Sequence, residues 1–103
     1  MLNDIIKGSG LKIKETRFLK PPAGTYGVYN DEVEPDGGDF ANLILRHFVS
    51  VELYEPKPDP EAERAFEAQL NARGIKWHKQ PRYWIQEEQR YQVIYDFSYI
   101  EKI

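Results

Sequence analysis

Three stretches of this chain carry carboxylates, histidines or cations in patterns that suggest ligand or proton chemistry. In "EVEPDG", Glu32, Glu34 and Asp36 fall at the first, third and fifth positions of an EF-hand calcium loop, with Gly37 at the sixth. The twelfth position, which must bring a bidentate glutamate, is Leu43, and no helical pattern flanks the loop on both sides. The stretch therefore reads as a solvated acidic turn, and no metal is expected. His47, between Leu45 and Val49 in "LILRHFVSVELY", could act as a base only if a carboxylate or a substrate reaches its ring. The simpler reading is a histidine near a sheet edge, hydrogen-bonded to backbone. "KWHKQPRYW" combines Lys76, Lys79 and Arg82 with Trp77, Tyr83 and Trp84 around His78, the composition of a stacking platform for single-stranded nucleic acid. A β-hairpin with packed aromatics and wet lysines has the same composition. Ser9, Ser50 and Ser98 stand in no nucleophile motif, and there is neither a His-Glu-x-x-His pair nor a glycine-rich phosphate loop. The carboxylate pair Glu87 and Glu88 sits in a turn with no visible cleft. No catalytic residue, cofactor or enzyme activity is expected.

Composition narrows the setting. A chain of 103 residues makes a single domain, 1–103, burying roughly 65% of the surface its unfolded form exposes. Hydrophobic residues at 41% and aromatics at 14% support a packed core, and charged residues at 30% a well-solvated exterior. There is no cysteine, so disulfides, thiolate metal sites and a cysteine nucleophile are excluded and a reducing cytoplasm is the natural setting. A net charge of -3 disfavours a protein that neutralises phosphates over its whole surface. "MLNDIIKGSG" lacks the apolar run of a signal peptide, and nothing approaches the ~20 apolar residues of a membrane span. The expectation is a cytoplasmic, unprocessed protein.

Periodicity gives the helices and strands that carry these residues. Residues 2–7 suit a short helix stopped by Gly8 and Gly10. "LKIKETRF" alternates only weakly, and "KPPAG" breaks regular structure. "TYGVYNDEV" fits a strand, ended by the acidic turn "EPDGGD". In "LILRHFVSVELY", Leu43, Leu45, His47, Val49, Val51 and Leu53 share the core face, with Ile44, Arg46, Phe48, Ser50, Glu52 and Tyr54 opposite. Pro56, Pro58 and Pro60 then end the strand stiffly. Asp59 is a candidate N-cap with Pro60 in the first helical position, and Ala62, Phe66 and Leu70 form an apolar stripe closed by Arg73 and Gly74. The opposite helix face, Glu63, Arg64, Glu67 and Asn71, is expected to be solvated. Period two returns in "RYWIQEE" and in "YQVIYDFSYI", where Tyr91, Val93, Tyr95, Phe97 and Tyr99 share a face. The expected fold is an α+β two-layer sandwich, a mostly antiparallel β-sheet under one main helix, in the order α-β-β-α-β-β.

Strand length then points to assembly. Residues 43–54 would span about 40 Å at ~3.3 Å per residue, well beyond the common strand of ~5–6 residues. One helix cannot cover both faces of so long a sheet. Ile44, Phe48, Tyr54, Ile94 and Ile100, on the second face, are therefore the candidate interface of a homo-oligomer, and copies meeting head to tail close into rings.

The runs "FLKPPAGTYGVYNDEVEPDGGD", "HFVSVELYEPKPDPEAERAFEAQL" and "YWIQEEQRYQVIYDFSYIEK" resemble the tail-completion, or tail-terminator, proteins encoded between head and tail genes in prophages and siphophages of Gram-positive bacteria. That group shares a Thr-Tyr-x-x-Tyr strand, a His-x-x-x-x-Glu-Leu-Tyr strand, an acidic helix and a closing Tyr-x-x-x-Tyr strand in this order. The resemblance implies a tail-terminator-like fold and a structural virion component, assembled in the host cytoplasm, that caps the tail tube as a ring, a hexamer by that likeness, and joins it to the head connector. It brings no catalytic residues, cofactor, membrane or specific nucleic-acid partner, though DNA passes through such a ring. The alternatives are another neck, head-closure or minor tail component, a single-stranded nucleic-acid module using Lys76, Trp77, Lys79, Arg82 and Trp84, and a small hydrolase using His47.

Overall fold

The computed structural model of the protein describes residues 1–36 and 44–102. Helix α1 (Leu2–Ser9) is followed by strands β1 (Lys12–Glu15), β2 (Tyr26–Asp36) and β3 (Ile44–Glu55), helix α2 (Pro60–Ala72), and strands β4 (Trp77–Lys79), β5 (Tyr83–Ile85) and β6 (Arg90–Lys102). The six strands form one sheet, β1-β2-β3-β6-β4, with β5 also paired to β6. All pairings are antiparallel except β1 with β2. The architecture is thus α+β, with a mostly antiparallel sheet as expected, but the order contains two strands that periodicity missed. β1 carries one inward apolar residue, Ile13, and β4 spans three residues, too few for alternation to register. The first helix also runs through Gly8 to Ser9 before Gly10, at φ 73°, stops it. Gly8 is tolerated inside the helix because the Gln69 side chain lies where a Cβ would stand.

Both helices bury their apolar sides on the odd-numbered face of the sheet. Leu2, Ile5, Phe66 and Leu70 pack with Val49, Val51, Leu53, Val93, Tyr95 and Phe97 into one core. The Phe66 ring lies 5.1 Å from that of Tyr95 and 6.2 Å from that of Phe97. Its complete burial stabilises the fold by about 1.5–3 kcal/mol. The register across the sheet sets Gly27 beside Leu53, itself beside Val93, and a Cβ on Gly27 would meet Leu53 Cδ2 at 2.9 Å, so this row closes only around a glycine.

The proline junction does what its residues require. Asp59 caps α2 by accepting from the Ala62 amide at 3.1 Å, Pro60 opens the helix, and Thr25 Oγ1 donates to the second Asp59 oxygen at 2.6 Å. At the far end Gly74, at φ 67°, ends the helix and the Ile75 amide donates back to the Leu70 carbonyl at 3.0 Å.

The second face is not left wholly bare. Because β1 and β2 are parallel neighbours, the chain between them must cross back over the sheet. Residues 16–25 make that crossing on the even-numbered face, where Phe18 sets its edge on Tyr26 at 5.5 Å and Arg90 Nη2 donates to the Pro22 carbonyl at 3.3 Å.

Candidate functional site

β1 pairs with β2 only over residues 26–29, and β4 with β6 only over 95–97. Beyond those rows β2, β3 and β6 continue together as a three-stranded arm. The molecule is accordingly elongated, 50 × 27 × 23 Å. On the even face of the arm, Phe48 is 42% exposed and Ile100 49%, on adjacent strands, with Ile44 half-buried two pairs further out. The five candidate interface residues therefore fall into two groups. Ile44, Phe48 and Ile100 lie on the arm, whereas Tyr54 and Ile94 lie at the other end and are half-buried. Tyr54 stacks at 5.3 Å on Tyr26, the ring that Phe18 of the crossing segment meets, and accepts from Gln92 Nε2 at 3.2 Å. The polar row Ser50 and Asp96 separates the groups. Beside Phe48 runs an open groove of about 590 Å³, edged by Glu32, Asp96, Lys76 and His78.

His47 lies on the opposite, odd face of the arm and is only 8% exposed. Its Nδ1 lies 3.0 and 2.8 Å from the two Asp31 oxygens and its Nε2 lies 2.9 Å from Glu101 Oε1, while the ring stacks on Tyr99 at 4.4 Å. Carboxylate oxygens only accept, so both contacts are satisfied together when both ring nitrogens carry a proton, and the site favours the imidazolium form. Burial opposes that charge, but the bonds to Glu101 and Asp31 outweigh burial and hold the pKa above the ordinary 6.5. The partners are carboxylates, not the backbone groups the sequence suggested. With both nitrogens occupied, neither is free to take a proton from a substrate. The two carboxylates sit on opposite nitrogens and do not converge on one point, and no metal-holding group of three acidic, histidine or cysteine residues occurs among the described residues. Ser50 and Ser98 lie on the other face, out of reach as nucleophiles.

A second ionic cluster sits where β3 meets α2. Glu63, expected on a solvated helix face, is 3% exposed, and Glu67 is also sheltered. The segment from β4 to β5 crosses this side of the helix and lays two cations on it, so these carboxylates are paired rather than solvated. Lys79 Nζ lies 2.7 Å from Glu63 Oε1 and 2.8 Å from Glu67 Oε2, and Arg82 Nη2 lies 2.6 Å from Glu63 Oε2. Arg82 Nε also reaches Glu55 Oε1 at 3.4 Å, an oxygen that accepts from the Asp59 amide at 3.2 Å. Tyr95 donates its hydroxyl to Glu67 Oε2 at 2.5 Å. Glu55, at the end of β3, is completely buried, and its Oε2 has no conventional partner.

This cluster also takes up two cations of the expected stacking platform, of which Tyr83 stays 65% and Trp84 37% exposed. Lys79 and Arg82 are held by carboxylates, Trp77 packs on Tyr95 and donates to Asn71 Oδ1 at 2.9 Å, and Trp84 sets its edge on Tyr91. Trp77 pairs with Phe97 and Trp84 with Tyr91, six residues apart along β6 and roughly 20 Å at ~3.3 Å per residue. Glu32, Glu34 and Asp36, the first calcium candidates, are in extended β2 paired to β3, with no loop to bring them together. Gly37, the rest of "EPDGGD" and Leu43 lie outside the described residues.

Sequence reasoning missed Glu55, Glu63, Glu67, Asp31 and Glu101. A signal existed for two of them. Glu55 continues the buried alternation Val51, Leu53, and Glu63 falls within the 62, 66, 70 stripe at helical spacing. No helix among the described residues is long and apolar enough to cross a membrane. No protein-family model matches this chain, and no curated protein matches it.

Proposed function

We propose that this protein is a structural assembly component of the tail-completion type, with a tail-terminator-like fold, that caps a phage tail tube as a ring of its own copies and joins it to the head connector. The observation that carries the reading is the three-stranded arm, whose even face keeps Phe48 and Ile100 open to solvent on adjacent strands. Large apolar side chains on a projecting surface mark a face that meets another protein. The likeness of the strand and helix runs to that group of phage proteins supports the choice of assembly. A neck or head-closure role would use the same face. The nucleic-acid reading has lost Lys79 and Arg82 to the carboxylate cluster, and the hydrolase reading has lost both His47 nitrogens.

Electron microscopy of the purified protein, with sedimentation at rising concentration, tests the proposal. Rings are expected, and Phe48→Asp should reduce them to monomers while circular dichroism stays unchanged. Monomers alone at high concentration, with a tail-tube partner present, would sink it.

A further inference from the structure

The cluster at the end of β3 contains three carboxyl groups, Glu55, Glu63 and Glu67, but two cations, Lys79 and Arg82. Among the described residues, the titratable groups facing it are Glu55 from β3; Asp59 at the cap of α2; Glu63 and Glu67 from α2; Lys79 from β4; Arg82 from the segment before β5; and Tyr95 from β6. Asp59 is bound by Thr25 and by the Ala62 amide, and Tyr95 donates to Glu67. Glu63 receives both cations, one on each oxygen. Glu55 has on Oε1 the Asp59 amide and a long contact to Arg82, and on Oε2 nothing that donates. An ionised carboxylate buried with one bare oxygen beside a second carboxylate is strongly unfavourable. A proton on that oxygen removes the excess charge and supplies a donor, and Glu63 is the neighbouring carboxylate within hydrogen-bonding reach of Glu55.

We propose that Glu55 is a neutral carboxylic acid whose Oε2 hydroxyl donates to Glu63, and that this single proton fastens the β4-to-β5 segment and the start of α2 to the end of β3. The proton makes the junction a pH-sensitive latch. Burial first, and then the Glu63 charge, push Glu55 up to about 8, whereas bonds from Glu55, Lys79 and Arg82 overcome burial and hold Glu63 near 2. Each shift links stability to pH. The raised Glu55 pKa gives a contribution complete below the unfolded value of 4.5 and lost as pH climbs from there to about 8, and the lowered Glu63 pKa gives one lost as pH falls from 4.5 to about 2. The pair supports the fold best near pH 4.5, and release of the proton to solvent above pH 8 loosens the latch.

Glu55→Gln keeps the shape and replaces the hydroxyl by an amide donor, so it imitates the protonated state at every pH. In the wild type the unfolding constant should rise by about one to three powers of ten between pH 4.5 and 8, and Glu55→Gln should remove that part of the slope. Infrared spectra at neutral pH should show an un-ionised carboxyl carbonyl that the variant lacks. Parallel pH profiles for the two proteins, or no such carbonyl, overturn the proposal. If Glu55→Gln fails to fold, carbon NMR of labelled glutamates in the wild type decides alone. One carboxyl titrating near 8 supports the latch, and every carboxyl titrating with the ordinary glutamates overturns it.

Discussion

At the helix-covered end of the sheet, Glu55, Glu63 and Glu67 face two cations; on the arm, Asp31 and Glu101 face one imidazole. Each region thus holds one carboxyl group more than its side-chain cations would balance if all were ionised. Solvent access separates the two outcomes. Glu55 is closed off completely, so the surplus is removed by a proton on the carboxyl itself. Glu101 is 54% exposed, so water screens the surplus and the proton sits on His47. The covered end behaves as a protein interior and the arm as a surface held in shape by one buried ring.

That contrast is broken most directly by removing core volume. Phe66→Ala should lower stability by about 3–5 kcal/mol, read as the shift in a denaturant midpoint. Phe48→Ala on the arm should stay within about 0.5 kcal/mol, as an exposed site does. Equal effects would mean that the arm is packed like the core. The ionic clusters provide the next test. Glu63→Ala leaves Lys79 to Glu67 alone and Arg82 to its long contact with Glu55, and should cost about 1.5–3 kcal/mol, whereas Glu101→Ala, at a half-exposed pair, should cost about 0–1 kcal/mol.

The same contrast explains what could be read from residues alone. Alternation in the central and last strands, the Asp59 cap with Pro60, and the 62, 66, 70 stripe were legible because each follows from local geometry, which repeats every two or 3.6 residues. The parallel strand β1 was not, since its partner is fixed by a crossing segment whose path depends on Phe18 finding Tyr26. The open arm face at Phe48 and Ile100 was legible from strand length. The Phe18 cover on Tyr26, against which Tyr54 stacks, was not, for the same reason as β1. Glu63 was assigned to water because the helix pattern alone cannot show that residues 77–82 return across it. The His47 partners lie 16 and 54 residues away in sequence, on two different strands, and the register that aligns them is a tertiary property.

Within the arm, Asp31→Asn keeps the shape of the His47 site while removing its more sheltered charge, and should cost about 1.5–3 kcal/mol, the range for a hydrogen bond to a charged group. The His47 pKa should fall toward 6.5 in that variant, which proton NMR of the ring would record. An unchanged pKa would show that Glu101 alone holds the imidazolium. A smaller loss in Glu101→Ala would then trace to solvent, because the two carboxylates lie at similar distances from the ring and differ chiefly in exposure.

The smallest effect is also the most local. The His47 pKa is raised in the folded protein, so its contribution is complete below the unfolded value of 6.5 and is lost as pH rises through the folded value. The latch at Glu55 loses its contribution over a range that begins lower, at 4.5, and ends at about 8. Overlapping windows would blur these two events in any global melting curve, but they occupy different parts of the molecule. Amide exchange along residues 98–102 should quicken above pH 6.5 by more than the intrinsic base-catalysed rate, and His47→Gln should abolish the excess by removing the titration. Amides at the start of α2 should respond instead to Glu55→Gln and be indifferent to His47→Gln. If both segments loosened together in either variant, arm and covered end would be one cooperative unit, and a projecting surface free to meet neighbouring copies would no longer describe this fold.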